Sequence, residues 1–354
     1  MSLRIKKIYS KLSGADADGL LVSSSFNITY LTNYISRDSY LLISPKGNIY
    51  FTDFRYKEEA QRALRGTGIT VKQADGSLFK YIAAACRNLG LRRLGFEERQ
   101  MSFAAYRKLA AELGFKISLL PLHGLIEGFR EAKDARELAE IKKAVSITEG
   151  ALEYIRDFIL PGKKEIEIAA ELERFIRYHG AQSSSFGIIV ASGPNSSHPH
   201  HITSERKLKA TEVVLIDIGV SCQDYKSDLT RVFFLGKITP LTRRIYAIVL
   251  AAQQRAIRKI KAGASIDKID ASARGYIAGK GYAKFFGHSL GHGIGLEVHE
   301  APKVSAKEKN KLRAGMVVTI EPGIYLPGKF GIRIEDMVLV TEKGCEVLSG
   351  ALHK

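Results

Sequence analysis

Cysteine is scarce in this chain: Cys86, Cys222 and Cys345 are scattered, with no CxxC spacing. That speaks against a disulfide framework and fits reduced thiols in a cytoplasmic protein. Long apolar runs are missing as well. None approaches the roughly 18 residues of a membrane span. The opening segment, with Arg4, Lys6 and Lys7 followed by mixed residues, lacks the apolar stretch of a signal peptide. Repeats at solenoid period and low-complexity tracts are also absent. Acidic residues are outnumbered, 37 against 54 basic, for a net charge of +17. Such an excess raises nucleic acid or an acidic surface as a partner. The clusters at 255–261 and 307–313 lack interleaved aromatic residues, however, and solvated helix faces account for them more simply. Neither a membrane nor a nucleic acid is therefore expected as a partner.

What is present is an ordinary globular composition, 45% hydrophobic and 26% charged over 354 residues. That allows two domains or one large one, with a sizeable core. The pattern predicts a short amphipathic helix near 5–12, strands at 19–22 and 40–44, a turn at 45–47 and a returning strand at 48–52. Helices at 56–64, 78–89 and 103–113 then alternate with strands at 69–72, 93–96 and 116–120. Such alternation indicates an α/β layer structure, closing near residue 125. Residues 131–158 read as almost wholly helical, stopped by Pro161-Gly162. A helix at 165–179, strands at 186–191, 212–219 and 225–235, and helices at 241–261 and 266–279 follow. The last seventy residues are strand-rich. This change of texture predicts two domains, 1–125 and 126–354.

The stretch 287–300 reads GHSLGHGIGLEVHE and places His288, His292 and His299 among glycines. Glycine admits backbone conformations and close approaches that a Cβ forbids. These histidines are therefore placed by unusual backbone. A glycine-rich turn between helix and strand is the plain alternative.

Acidic residues in apolar strands weigh against that alternative. VVLIDIG carries Asp217 and YKSDLTRVFFL carries Asp228. A hairpin turning at Cys222-Gln223 would set the two directly opposite. VVTIEPGIY carries Glu321 and GIRIEDMVLV carries Glu335, with Leu326-Pro327-Gly328-Lys329 between them as a type II turn. Glu321 and Glu335 then face each other within one residue of register, which a bulge could absorb. Arg333 shares a face with Glu335. Like charges opposed across a ladder are destabilising and need a cation or a shared proton. Four carboxylates and a histidine, without a thiolate, suit Mn, Co, Zn or Fe. So many ligands suggest two bridged ions.

These residues resemble, in order and approximate spacing, the metal ligands of the pita-bread metallopeptidases. That family includes methionine aminopeptidase, aminopeptidase P and prolidase. The matching stretches are VLIDIG, YKSDLTR, GHGIGLEVHE, TIEPGIY and GIRIED. NITYLTNY and TDFRY resemble the creatinase-type N-terminal domain. That domain, Arg333 in GIRIED, and IIVASGPNSSHPHH with His200 are similar to the proline-directed branch. One departure is Asp224, where the family commonly has glycine. His198 and His201 flank His200, which leaves open which of them acts.

The resemblance implies an α/β creatinase-like domain followed by a pita-bread catalytic domain with a mainly antiparallel, curved sheet and flanking helices. It implies two divalent ions, manganese first, on Asp217, Asp228, His292, Glu321 and Glu335, with Asp228 and Glu335 bridging. It further implies hydrolysis of Xaa-Pro peptide bonds by a bridging hydroxide, with Glu321 as proton acceptor and donor. His200 and His299 would then stabilise the oxyanion or orient the proline, and Arg333 would pair with a carboxylate of the site or substrate. A homodimer is implied too. Methionine aminopeptidase activity and a binding protein on a peptidase fold stay open as alternatives.

Overall fold

A computed structural model describes residues 3–352. The chain forms two compact units, Met1–Arg130 and Glu131–Lys354.

The first unit is built on a six-stranded sheet. Its order is Ile69–Gln73, Gly47–Thr52, Tyr40–Ser44, Gly19–Val22, Arg93–Glu97 and Ser118–Leu122. Tyr40–Ser44 is antiparallel to both neighbours, and the other pairings are parallel. Parallel neighbours need crossovers, which Lys57–Ala63, Leu78–Asn88 and Phe103–Leu113 supply. Leu78–Asn88 buries Ile82, Ala83, Ala85 and Cys86, in a core shared with Leu42, Phe51 and Leu94. The last strand starts at Ser118 because Gly114–Lys116 forms a 3₁₀ turn ahead of it.

One helix of this unit is unheralded by its pattern. Ser25–Thr32 is buried from Asn27 onward. Burial all round erases the helical period that an amphipathic segment would show. Its ends are marked by polar residues: Ser24 Oγ accepts from the Asn27 amide, and Asn33 closes the helix at φ 55°.

The second unit layers the helices Ala135–Tyr154, Glu165–Tyr178, Pro240–Ile257 and Ile266–Gly279 with several sheets. All strand pairings described in it are antiparallel. The first long helix begins at Ala135, not near 131. Asp134 and Glu137 form a capping box there, each carboxylate accepting from the other's amide at 3.0 Å. Pro240–Ile257 ends four residues before the patterned 261. The chain turns away to bond Thr341 and Leu312 through Ala262 and Gly263. Among the described residues, no helix is long and apolar enough to cross a membrane.

Two sheets carry the site. One has Glu212–Ile218 between Ile189–Ser192 and Leu229–Leu235. The other runs Glu300–Val304, Gly291–Gly293, Val317–Ile320, Asp336–Val340, Cys345–Val347. The long strands read from the sequence are broken where acidic residues stand. Asp228 falls between Tyr225–Lys226 and Leu229–Leu235, Glu321 between Val317–Ile320 and Gly323–Leu326, and Glu335 between Phe330–Arg333 and Asp336–Val340. At these breaks the amides bond elsewhere: Glu321 to Leu290 O at 2.8 Å, Glu335 to Thr230 O at 3.3 Å, and Asp228 to Met337 Sδ at 3.3 Å. A backbone donor must be satisfied somewhere. Here its partner is a neighbouring segment, which turns each carboxylate out of its own ladder.

Candidate active site

The first acidic pair departs from the expected register. The hairpin turns at Gln223-Asp224, at φ 47° and 63°, with Cys222 opposite Tyr225. Two left-handed residues are the geometry of a tight hairpin turn. Aspartate tolerates it better than most residues, so Asp224 serves where a glycine is expected. Thr230, rather than Asp228, therefore stands opposite Asp217. A shift of two residues keeps the same face, and Asp228 meets Asp217 diagonally. A Cβ at Gly219 would collide with the Ser227 carbonyl, so glycine is required where the strands cross.

The second pair needs no bulge. Ile320 is opposite Asp336 and Gly323 opposite Arg333, which sets Glu321 opposite Glu335. The turn beyond has Gly328 at φ 69°, and Lys329 N donates to Leu326 O at 3.0 Å.

His292 sits in the short strand Gly291–Gly293, so the glycine-rich stretch is not merely a turn. A Cβ at Gly291 would collide with the Thr319 carbonyl. The His292 Nδ1 donates to Gly293 O at 3.1 Å. Its Nε2 is then a bare lone pair, 3.5 Å from both Asp228 Oδ2 and Glu321 Oε1. Burial, with the neighbouring His299, pushes this imidazole down to about 4. A lone pair aimed at carboxylates needs a cation or a shared proton among them. Asp228, His292 and Glu335 each bring one ligand atom within 4.8 Å of the others.

The carboxylates show the same strain. Burial raises Asp228 well above its ordinary range, with Glu335, Asp217 and Glu321 adding to it. Burial also raises Glu335, with Glu321 and Asp217 behind it. Glu321 is pushed up to about 8, chiefly by burial. Asp217 Oδ2 accepts from Arg333 Nη2 at 2.5 Å, while its buried Oδ1 has no hydrogen-bond partner. An orphaned oxygen, a bare imidazole nitrogen and mutually repelling carboxylates are what a divalent cation site presents.

The cleft holding these groups measures about 760 Å³ and is also lined by His200, His288, His299 and Arg333. Asp217, Asp228, His292, Glu321, Glu335, His200, His299 and Arg333 thus converge. His198 lies outside the cleft lining, and His201 reaches it with Nε2 engaged by Glu165 at 2.9 Å. The His299 ring lies 4.4 Å from that of His292, edge to face.

Two site residues were not singled out. Thr230 donates to Glu335 Oε2 at 2.7 Å and accepts from Arg333 Nε at 2.9 Å. Tyr325 OH accepts from Arg333 Nη1 at 2.9 Å and reaches His288 Nε2 at 3.0 Å, while His288 Nδ1 donates to Ser289 O. Alternation points to Thr230, two residues past Asp228. Nothing in the pattern marks Tyr325.

Residues 139–342 match the metallopeptidase family M24, and residues 4–132 match the creatinase/prolidase N-terminal domain. The chain belongs to metallopeptidase family M24. This metallopeptidase resembles the Xaa-Pro dipeptidase from Bacillus anthracis, with 39% identity and a TM-score of 0.95, covering 99% of this chain and 98% of that one. It is also similar to the X-Pro aminopeptidase from Thermotoga maritima, with 35% identity and a TM-score of 0.90 over 98% and 97% of the two chains. The Xaa-Pro dipeptidase of Pyrococcus horikoshii is 34% identical over 99% of this chain and 97% of that protein. The metallopeptidase fold is thus a creatinase-type N-terminal domain followed by a pita-bread domain.

Proposed function

We propose that the protein is an Xaa-Pro peptidase, cleaving the bond between a first residue and a proline in second position, as a dipeptidase or an aminopeptidase P. The observation that carries this reading is the convergence of Asp228, Glu321 and Glu335 on His292, with Asp217 in the same cleft, which is walled by His200, His299 and Arg333. The relatives named for Xaa-Pro substrates supply the specificity.

Asp217, Asp228, His292, Glu321 and Glu335 would hold two divalent ions. The oxygen-rich donor set suits manganese, with cobalt, zinc and iron as competitors. The bound ions supply Lewis acidity toward water and the substrate carbonyl.

The chain's own groups do the rest. Glu321 would take the proton from the attacking water and pass it to the proline nitrogen. His200 and His299 donate to the carbonyl oxygen as it gains charge. Nε, Nη1 and Nη2 of Arg333 donate to Thr230, Tyr325 and Asp217 respectively, so Arg333 sets the carboxylates in place. His288 accepts from Tyr325 and closes this chain of bonds. We place the protein in the cytoplasm, as its free cysteines suit. We further propose a homodimer.

A substrate panel tests the reading: Xaa-Pro dipeptides, Xaa-Pro tripeptides and Met-Ala peptides, each with manganese or cobalt added. Cleavage confined to Xaa-Pro substrates is expected. Preferential cleavage of Met-Ala peptides refutes it.

A further inference from the structure

The segment 193–203 carries Pro199, His200, His201 and Ile202 to the cleft wall. It lies in no sheet ladder beyond Ser192. What fixes it is a carboxylate away from the acidic cluster. Glu165 opens the helix Glu165–Tyr178 and is fully buried. Its Oε1 accepts from the Ser192 amide and the Ser192 hydroxyl, both at 2.7 Å, and from Asn195 Nδ2 at 3.0 Å. Its Oε2 accepts from Ser204 Oγ at 2.6 Å, from the Ser204 amide at 3.2 Å and from His201 Nε2 at 2.9 Å.

Ser192 stands just before the segment and Ser204 just after it. One side chain therefore grips both feet of the loop. The backbone at the start of the same helix adds to the grip: Glu165 N donates to Arg206 O at 3.0 Å and Ile166 N to Ser204 O at 3.1 Å. Burial alone would raise this carboxyl, but the Ser204, Ser192 and His201 donors outweigh it and hold it below its usual range. It stays charged, and charged acceptors make the stronger bonds. The crest of the loop is pinned from the other side. Arg333 Nη1 donates to Pro199 O at 3.1 Å, and Gly331 N to Ser196 Oγ at 2.9 Å. His200 follows Pro199 directly.

We propose that Glu165 is a positioning residue for His200: by clamping both feet of segment 193–203 it fixes the place of the His200 imidazole in the cleft, and His201 is a strut of that clamp. The inference rests on the reading of His200 as a donor to the substrate carbonyl. A carboxylate that only stabilised the fold would lower the melting temperature with no energetic link to His200. A clamp is energetically linked to His200.

A double-mutant cycle separates the two. kcat and KM are measured on an Xaa-Pro dipeptide with manganese for the full chain, His200→Ala, Glu165→Ala and the double variant, with metal content determined for each. His200→Ala is expected to lose about 10²–10³ in kcat, as removal of an oxyanion donor does. Glu165→Ala is expected to lose about 10² in kcat, the scale of a misplaced catalytic group, with KM and metal content nearly unchanged. Once His200 is gone its placement is irrelevant, so the double variant should turn over within about threefold of His200→Ala. Losses that multiply in the double variant overturn the clamp. Wild-type turnover in His200→Ala instead overturns the reading of His200 on which the clamp rests. Should Glu165→Ala fail to fold, the cycle is run with His201→Ala, which removes one donor and leaves the others. Wild-type kcat in that variant, or multiplied losses with His200→Ala, overturn the proposal.

Discussion

Replacing Asp228 by asparagine should move stability in opposite directions with and without metal. Asp228 is buried beside Glu335, Asp217 and Glu321, each of which disfavours its charge. Neutralising it relieves that repulsion in the metal-free protein. Point substitutions in general lower stability by about 1 kcal/mol; here the metal-free variant should melt at or above the wild type. Metal reverses the order. A ligand at a hundredfold excess over its Kd stabilises by about 2.7 kcal/mol. For a unit the size of Glu131–Lys354 each kcal/mol is worth about 2–4 °C, so the wild type should rise by roughly 5–11 °C. An amide cannot be shared between two cations as a carboxylate can, and Asp228→Asn should show little of that rise and no turnover. The assay is thermal melting by circular dichroism after chelation and again with manganese, with metal content measured in parallel. A variant that melts well below the wild type when metal-free, yet keeps the full metal-induced rise and full turnover, refutes the reasoning.

Other outcomes follow from the same geometry. His292→Ala should lower metal occupancy, because its Nε2 faces the carboxylates, whereas His299→Ala should keep metal and lose about 10²–10³ in turnover; equilibrium dialysis beside steady-state kinetics would expose an exchange of the two roles. The metal-free protein should lose stability as pH rises. Burial pushes Glu321 up to about 8 in the metal-free fold, well above the ordinary carboxyl range, so the native state binds more protons across that window, and stability present below it is lost toward pH 8. Melting of chelated protein at pH 5.5 and 8.5 checks the sign, and a higher melting temperature at 8.5 contradicts it. A protein beginning at Glu131, if soluble, should keep metal but cleave longer Xaa-Pro peptides relatively better than the full chain. An unchanged ratio of dipeptide to longer-peptide cleavage would show that the first domain does not set substrate length.

The acidic residues were legible because a carboxylate in VVLIDIG or VVTIEPG has no cheap structural explanation. Their pairing was only partly so. The turn at Gln223-Asp224 adopts a double left-handed conformation without the Asn-Gly signature that announces one, and the expected register was off by two residues. Strand breaks at Asp228, Glu321 and Glu335 were invisible because the amides that leave the ladders bond to residues far along the chain, as Glu335 does to Thr230. Thr230 and Tyr325 read as ordinary strand formers. Their hydroxyls become part of the site only once Arg333 is folded against them. The helix Ser25–Thr32 left no period because no face of it is wet.

The bond between Arg333 and Asp217 joins residues 116 apart in sequence. On a ribosome adding about 5–20 residues per second, the aspartate is made roughly 6–23 s before its guanidinium partner. Throughout that interval the apolar strand around Asp217 carries a carboxylate that has nothing to neutralise it. Burying the strand early would strand the charge, and leaving it in water exposes VVLI to other chains. The cleft is therefore also a clock: the strands around Asp217 are complete by Leu235, yet its carboxylate gains a guanidinium partner only once the segment carrying Arg333 has left the tunnel.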